Sequence, residues 1–173
     1  MKRVLVLVMF IVSLLAMSVT CYAEIALEDL NIGGIYYGQS EEDVVEKLGQ
    51  SVRKEPIPPH GNGDVFKRNG SEISIAFAWK NQTERYVYRI EVKSGNEFIT
   101  PAGIGIGSTY DDVIKTYGRG DVDTIINPSN MKDRFVRYNV PNIKPGLGAA
   151  LYFVISPDKT VERFLMAEYE YEG

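Results

Sequence analysis

The sequence predicts an α+β fold of two tandem repeats, each a short helix followed by a three-stranded antiparallel sheet, with both helices on one sheet face. Three observations lead to this prediction. GIYYGQSEEDVVEKLG at residues 34–49 aligns with GIGIGSTYDDVIKTYG at residues 103–118, with glycines, an isoleucine, an aspartate and a valine identical. Both segments have the pattern of a capped amphipathic helix. Alternating apolar and polar residues, typical of half-buried strands, follow each segment.

The first 23 residues have the pattern of a secretory signal peptide. Two basic residues precede an apolar run at residues 4–17, and small residues stand three and one positions before the bond between Ala23 and Glu24. The apolar run is shorter than the about 20 residues that a membrane-spanning helix needs. We therefore expect cleavage at this bond, no transmembrane segment afterwards, and export to the periplasm or the extracellular space.

The cysteine count and the net charge exclude several classes of function. Cys21 is the only cysteine, so removal of the leader would leave no disulfide framework and no thiolate nucleophile. Alternatively, Cys21 carries lipid and anchors the protein, although Ser18, Val19 and Thr20 depart from the usual lipoprotein context. The formal net charge is −4 and becomes more negative without the leader, so no binding to nucleic acid is expected.

Each predicted helix has recognisable ends. Ser40 and Thr109 are hydroxyl N-caps, and an aspartate three residues after each can return the hydrogen bond. Gly49 and Gly118 stand where a C-cap residue with positive φ is favoured. Because isolated helices of this length are marginally stable, their apolar stripes must pack against a sheet.

Strand patterns follow both helices. In the first half they cover residues 64–69, 73–79 and 86–93, and in the second half residues 134–140, 149–155 and 161–168. The resulting division is a signal peptide at residues 1–23, a first repeat at residues 24–94 and a second repeat at residues 95–173, the two repeats forming one composite domain.

The motif I-x-x-G-x-[ST]-x-x-D-V occurs at residues 35–44 and 104–113. Together with the order of elements, it resembles the BLIP-like and SmpA/OmlA-like group. That group includes β-lactamase inhibitor proteins with tandem helix-plus-sheet repeats and small outer-membrane assembly lipoproteins with one repeat. The resemblance implies an α+β fold and non-catalytic action through protein contact. The resemblance assigns no partner and no functional residue to this chain, because the chain lacks the inhibitors' disulfides and has a poor lipid-attachment context.

Glycines at positions 103, 105 and 107 precede the second helix and raise the alternative of a phosphate-binding loop. Their spacing matches neither a dinucleotide fingerprint nor a Walker loop, and no lysine follows them directly. The corresponding position in the first segment holds Tyr36 instead of Gly105. We therefore predict a structural turn.

The competing functional interpretation is a secreted hydrolase. It would use His60, the only histidine, or surface carboxylates in the first turns of the helices. These carboxylates are Glu41, Glu42, Asp43, Asp111 and Asp112. Helix capping and the helix dipole already explain their positions, and the acidic pair at residues 121 and 123 is only a fragment of a calcium loop. We therefore expect no enzymatic activity, no cofactor and no metal site.

Strand alternation supplies a candidate binding surface. If Ile90, Val92, Phe153, Ile155, Phe164 and Met166 face the helices, the residues that project from the open face are Arg89, Glu91, Tyr152, Arg163 and Leu165. A β-bulge could exchange the two faces. Arginine and tyrosine are favoured at protein interfaces. The sequence thus predicts an exported, non-enzymatic interaction module that binds a protein or a cell-envelope component through this face.

Overall fold

A computed structural model describes residues 25–57, 61–125 and 133–170. In chain order its elements are a 3₁₀ turn at Leu27–Asp29, β1 (Asn31–Ile32), β2 (Ile35–Tyr36), α1 (Glu41–Leu48), β3 (Arg53–Pro56), β4 (Asn62–Arg68), β5 (Ser71–Trp79), β6 (Arg85–Ser94), α2 (Tyr110–Tyr117), β7 (Val122–Ile125), β8 (Arg134–Lys144), β9 (Leu147–Ile155) and β10 (Val161–Glu170). The predicted signal peptide with Ala23 and Glu24, the alternative lipid site Cys21, and His60 lie outside the described residues.

Eight strands form one antiparallel sheet in the order β3-β4-β5-β6-β10-β9-β8-β7, and β1 pairs with β2 in a separate ribbon. The middle of the sheet is the pairing of β6 with β10, where Val92 stands opposite Phe164 and Ile90 opposite Met166. Because β6 and β10 come from the two halves of the chain, their hydrogen bonds join both halves into one continuous sheet.

The predicted fold class is wrong. The chain is mostly β-structure, and each helix is followed by four strands that belong to the continuous sheet, instead of a three-stranded sheet of its own. The additional strands are the edge strands β3 and β7, which are short and largely exposed. An exposed edge strand needs no apolar alternation, so neither had the pattern of a half-buried strand. The division into two repeats at residues 24–94 and 95–173 stays a prediction.

Both helices begin and end where the sequence predicts. The Oγ atom of Ser40 accepts the Asp43 N–H at 3.1 Å, and the Oγ1 atom of Thr109 accepts the Asp112 N–H at 3.1 Å. Asp112 also accepts the Thr109 N–H at 3.0 Å, which completes a reciprocal capping box in α2. Val44 of α1 and Val113 of α2 are fully buried in one shared core.

The core lies between the helices and one face of the sheet. All six strand residues predicted to face the helices are buried in it, namely Ile90, Val92, Phe153, Ile155, Phe164 and Met166. Phe153 is central because its ring contacts the rings of Phe164, Tyr117 and Tyr138, with centroid separations of 5.9, 5.8 and 6.2 Å. The burial pattern confirms the predicted parity of β6, β9 and β10 and identifies their opposite face as the one turned away from the helices.

We expect Thr109→Ala to lower the free energy of unfolding by about 1 kcal/mol, because it removes the side-chain acceptor at the start of α2. Urea unfolding followed by circular dichroism measures the change. Thr116→Ala is the matched control, since Thr116 is exposed inside the same helix and alanine has the higher helix propensity. Equal destabilisation by the two substitutions would contradict the capping role.

Candidate functional site

The candidate site is the open face, defined as the sheet face opposite the helices. Residues paired directly across neighbouring strands project from the same face. One such row runs from Ser74 through Glu91, Leu165 and Tyr152 to Arg137. The structure thus places three of the predicted binding residues in a single row across β6, β10 and β9, with Arg89 and Arg163 beside it on the same strands.

Glu91 connects the two predicted arginines. The Nη2 atom of Arg89 lies 3.0 Å from one Glu91 carboxylate oxygen, and the Nη1 atom of Arg163 lies 3.3 Å from the other. The Glu91 side chain is only 6% exposed, whereas those of Arg89 and Arg163 are 21% and 46% exposed. Glu91 therefore is not itself available as a surface contact; it orients two guanidinium groups that reach solvent.

Tyr152 forms a second group on the open face. Its ring contacts the ring of Phe135 on β8, with a centroid separation of 5.4 Å. Burial raises the pKa of the Tyr152 hydroxyl, while the positive charges of Arg137 and Arg89 and a hydrogen bond with Arg137 oppose that rise. The hydroxyl is therefore neutral and lies within electrostatic reach of two guanidinium groups.

Sequence reasoning missed Phe135 and Arg137. Both lie on β8 and project from the open face, because Phe135 pairs with Val154 and Arg137 with Tyr152. The alternation of apolar and polar residues could have identified them, because Val136 and Tyr138, which alternate with them along β8, are buried in the core. The alternation that placed Tyr152 on the open face applies equally to residues 134–140.

A row of small residues runs beside the charged groups. Arg89 is flanked in register by Ala76 on one side and Ala167 on the other, followed by Ala150 and Asn139. Among the described residues, the shielded polar atoms on this face that have no hydrogen-bond partner include Arg89 Nε, Arg137 Nε and Asn139 Oδ1. Buried polar atoms are usually satisfied, so this part of the face has unused hydrogen-bonding capacity.

The open face is more positive than the chain as a whole. Within the part of the chain that the structure describes, strand register and contacts place the cations Arg53, Lys67, Arg89, Lys93, Arg137 and Arg163 and the carboxylates Glu55, Glu72 and Glu91 on it. The chain itself has a formal net charge of −4. The cations of this face therefore outnumber its carboxylates on an otherwise acidic protein.

Glu72 provides a pH test of the network on the β3–β5 side of the face. Hydrogen bonds from Arg53 and Lys67 lower the pKa of the Glu72 carboxyl to about 2. Because the folded-state pKa is depressed, this contribution to stability is present above the ordinary pKa and is lost as the pH falls toward 2. We expect an NMR titration of the Glu72 carboxyl carbon to give a midpoint near 2. In Arg53→Ala the midpoint should rise, and an unchanged midpoint would contradict the assignment.

A polar cluster on another part of the molecule is internally satisfied. Tyr37 and Tyr86 both donate hydroxyl hydrogen bonds to Glu168, the second at 3.1 Å. The Lys144 ammonium lies 4.1 Å from the centre of the Tyr86 ring. Burial and Glu168 raise the pKa of Tyr37 well above its ordinary range. A neutral phenol such as that of Tyr37 is not a nucleophile, so we interpret the cluster as structural.

The carboxylates of the hydrolase interpretation do not converge. Glu41 on α1 pairs with Arg85, whereas Asp112 on α2 accepts the Thr109 capping bonds. Asp121 and Asp123 bind the Asn139 N–H and the Arg134 guanidinium, respectively. Within residues 25–57, 61–125 and 133–170, no group of three or more His, Cys, Asp or Glu side chains could hold a metal ion.

The glycine-rich turn before α2 uses its own amides. Gly103 donates to the Thr100 carbonyl at 2.9 Å, and Gly107 donates to the Val161 carbonyl at 2.8 Å. Gly105 donates to the Ser108 hydroxyl at 3.1 Å. A Cβ atom on Gly105 would lie 2.7 Å from the Ile99 side chain, so close packing explains this glycine. With all three amides paired, the turn is not a phosphate cradle.

No family model matches this chain, and no curated protein matches it. Several solved structures show similarity to this chain. A DUF4309 family protein (YjgB) from Bacillus subtilis is 15% identical with a TM-score of 0.49, over 85% of this chain and 88% of that one. An extracellular protein containing an SCP domain, from Bacillus anthracis, is 16% identical with a TM-score of 0.49, over 84% of this chain and 46% of that one.

A candidate β-lactamase inhibitor protein from Streptococcus mutans is also similar, at 15% identity and a TM-score of 0.27, over 78% of this chain and 85% of that one. Its description names the BLIP-like part of the group that the sequence resembles, and the resemblance of this chain to that group stays a prediction. These identities and TM-scores assign neither a family nor an activity to the chain. In the described part of the chain, no helix is both long and apolar enough to cross a membrane.

Proposed function

We propose that this protein is an exported, non-enzymatic interaction module that binds a protein through the open face of its sheet. The observation that carries the proposal is the placement of Arg89 and Arg163 on either side of the buried Glu91 carboxylate. A guanidinium held in position by a partner loses less conformational freedom on binding than a free arginine. The face thus presents preorganised donors.

The surroundings of these arginines suit a protein partner. Tyr152, Phe135 and Leu165 supply aromatic and apolar contact area beside the guanidinium groups. Arginine and tyrosine are enriched among the residues that dominate binding energy at protein interfaces. Apolar side chains with charged neighbours at their border correspond to the usual centre and rim of an interface.

Export is supported by the signal-peptide pattern of the first 23 residues. Lipid attachment at Cys21 is the alternative mode of export. Both modes expose the open face to partners outside the cytoplasm, so the proposed binding surface is the same in each.

Affinity capture tests the proposed function. The immobilised protein is incubated with envelope extract and culture medium of its source, and captured proteins are quantified by mass spectrometry. We expect Arg89→Ala combined with Tyr152→Ala to reduce capture of a specific partner at least about tenfold, equivalent to about 1.4 kcal/mol. The matched control combines Arg119→Ala with Tyr36→Ala, which removes an exposed arginine and an exposed tyrosine from outside the open face.

Circular dichroism verifies that the Arg89→Ala, Tyr152→Ala variant is folded. If this variant captured the partner as well as the native protein, the open face would not be the binding surface. Turnover of a hydrolase substrate that His60→Ala abolishes would overturn the non-enzymatic assignment.

A further inference from the structure

We propose that the partner presents an acidic segment, one carboxylate of which binds between Arg89 and Arg137 beside the Tyr152 hydroxyl. This inference rests on the proposed function, because it assigns the chemistry of the group received by the open face. It adds Arg137 to the predicted binding residues.

The positions of the two arginines define the receiving site. Arg137 on β8 stands directly opposite Tyr152 on β9, and Arg89 on β6 lies in the adjacent row. Both guanidinium charges act on the Tyr152 hydroxyl, although two strands separate Arg89 from β8. Both guanidinium groups therefore lie within electrostatic reach of the Tyr152 hydroxyl.

Both arginines have donors left for a ligand. A guanidinium has five N–H donors. Arg89 donates from Nη2 to Glu91, and Arg137 makes a hydrogen bond with Tyr152, while the Nε atom of each has no partner among the described residues. A carboxylate can accept from Nε and Nη of one guanidinium in a bidentate pair, which is a strong and directional interaction. A bound carboxylate would therefore supply the acceptor that these Nε–H donors lack.

Charge complementarity favours an acidic occupant. Of the described residues, the six cations and three carboxylates named above project from the open face, while the chain carries a formal net charge of −4. An acidic segment would be attracted to this face and repelled by the rest of the molecule, which raises the rate of correct association.

The arrangement favours a polypeptide over a polyphosphate. A polyphosphate would be expected to follow an uninterrupted line of cations, but Glu55, Glu72 and Glu91 interrupt the cations on this face. Phe135 and Leu165 beside the site suit apolar side chains that flank a carboxylate in a peptide. The structure thus combines a carboxylate site with contact area for the rest of a polypeptide segment.

NMR of the arginine Nε–Hε groups tests this inference with poly-L-glutamate as the probe. We expect the Arg89 and Arg137 cross-peaks, assigned from Arg→Lys variants, to shift on addition of the polymer. The cross-peak of Arg119, which is exposed after α2, should stay unchanged. Fluorescence anisotropy should show binding weakened about tenfold or more in Arg137→Ala, unchanged binding in Arg119→Ala, and incomplete recovery in Arg137→Lys, because lysine lacks the planar fork.

Three results would overturn the inference. These are no binding of poly-L-glutamate, equal binding by Arg137→Ala and the native protein, and stronger binding of inorganic polyphosphate with shifts centred on Arg53 and Lys67. Capture that depends on Arg89 and Tyr152, together with no poly-L-glutamate binding, would keep the proposed function and refute the acidic partner. Capture independent of those residues would refute the proposed function itself.

Discussion

Replacing Phe153 with alanine is expected to lower the free energy of unfolding by about 3–5 kcal/mol, the usual cost of truncating a buried phenylalanine. Phe153 is fully buried on the helix-facing side of β9. Its ring contacts aromatic rings from α2, β8 and β10, so a cavity at this position removes contacts among three elements. Because protein interiors are close-packed, the surroundings can relax only partly into the space.

Urea unfolding of purified protein measures this effect, with Phe135→Ala as the matched control. Phe135 carries the same side chain but is half-buried on the open face, so its truncation should cost clearly less. An equal loss for the two variants would contradict the assignment of the core to the helix-facing side of the sheet.

Glu91→Ala is expected to lower the free energy of unfolding by about 3 kcal/mol, because it leaves charged groups without their buried partner. Arg89, whose side chain is 21% exposed, loses the acceptor of its Nη2 donor. Arg163 is more exposed and recovers solvation more readily. Most of the cost should therefore come from Arg89.

Two further variants identify the cause of this loss. Glu91→Gln preserves the shape and one acceptor oxygen, so it should destabilise less than Glu91→Ala. Glu72→Ala removes a carboxylate from an exposed ion-pair network on the same face, and surface pairs contribute little. If Glu72→Ala destabilised the protein as much as Glu91→Ala, burial would not be the origin of the effect.

Local features of the fold could be predicted from the sequence because short-range physics determines them. The N-caps Ser40 and Thr109 and the C-terminal glycines of both helices have the predicted roles, since each acts within a few residues. The parity of β6, β9 and β10 was also predicted, because a half-buried strand shows its buried face as an alternation. The bulge in β10 precedes the central residues and does not exchange their faces.

The order of the strands in the sheet could not be predicted in the same way. Pairing of β6 with β10 joins residues more than 70 positions apart. The alternation within one strand does not indicate which other strand pairs with it. The edge strands β3 and β7 were not predicted, because an exposed strand needs no alternation of apolar and polar residues. Predicting three strands per helix followed from these two omissions.

The sequence predicted on which face the candidate residues lie, but not how deeply each of them is buried, and their binding role stays a prediction. Alternation placed Glu91 on the open face, yet its side chain lies beneath Arg89 and Arg163 as their shared acceptor. Depth depends on which long side chains cover a position from neighbouring strands, and therefore on the register between strands. The alignment of the two segments also gives no reason for Gly105, because the close contact that requires it is with the Ile99 side chain.

Site-specific cross-linking tests the binding face most directly. With Cys21 replaced by serine, Thr124→Cys places a benzophenone label on the open face, because Thr124 pairs with Phe135. Thr116→Cys places the same label on α2, and both threonines are exposed. If the open face binds the partner, a cross-linked complex forms from Thr124→Cys and not from Thr116→Cys. Cross-linking from Thr116→Cys alone would contradict the account.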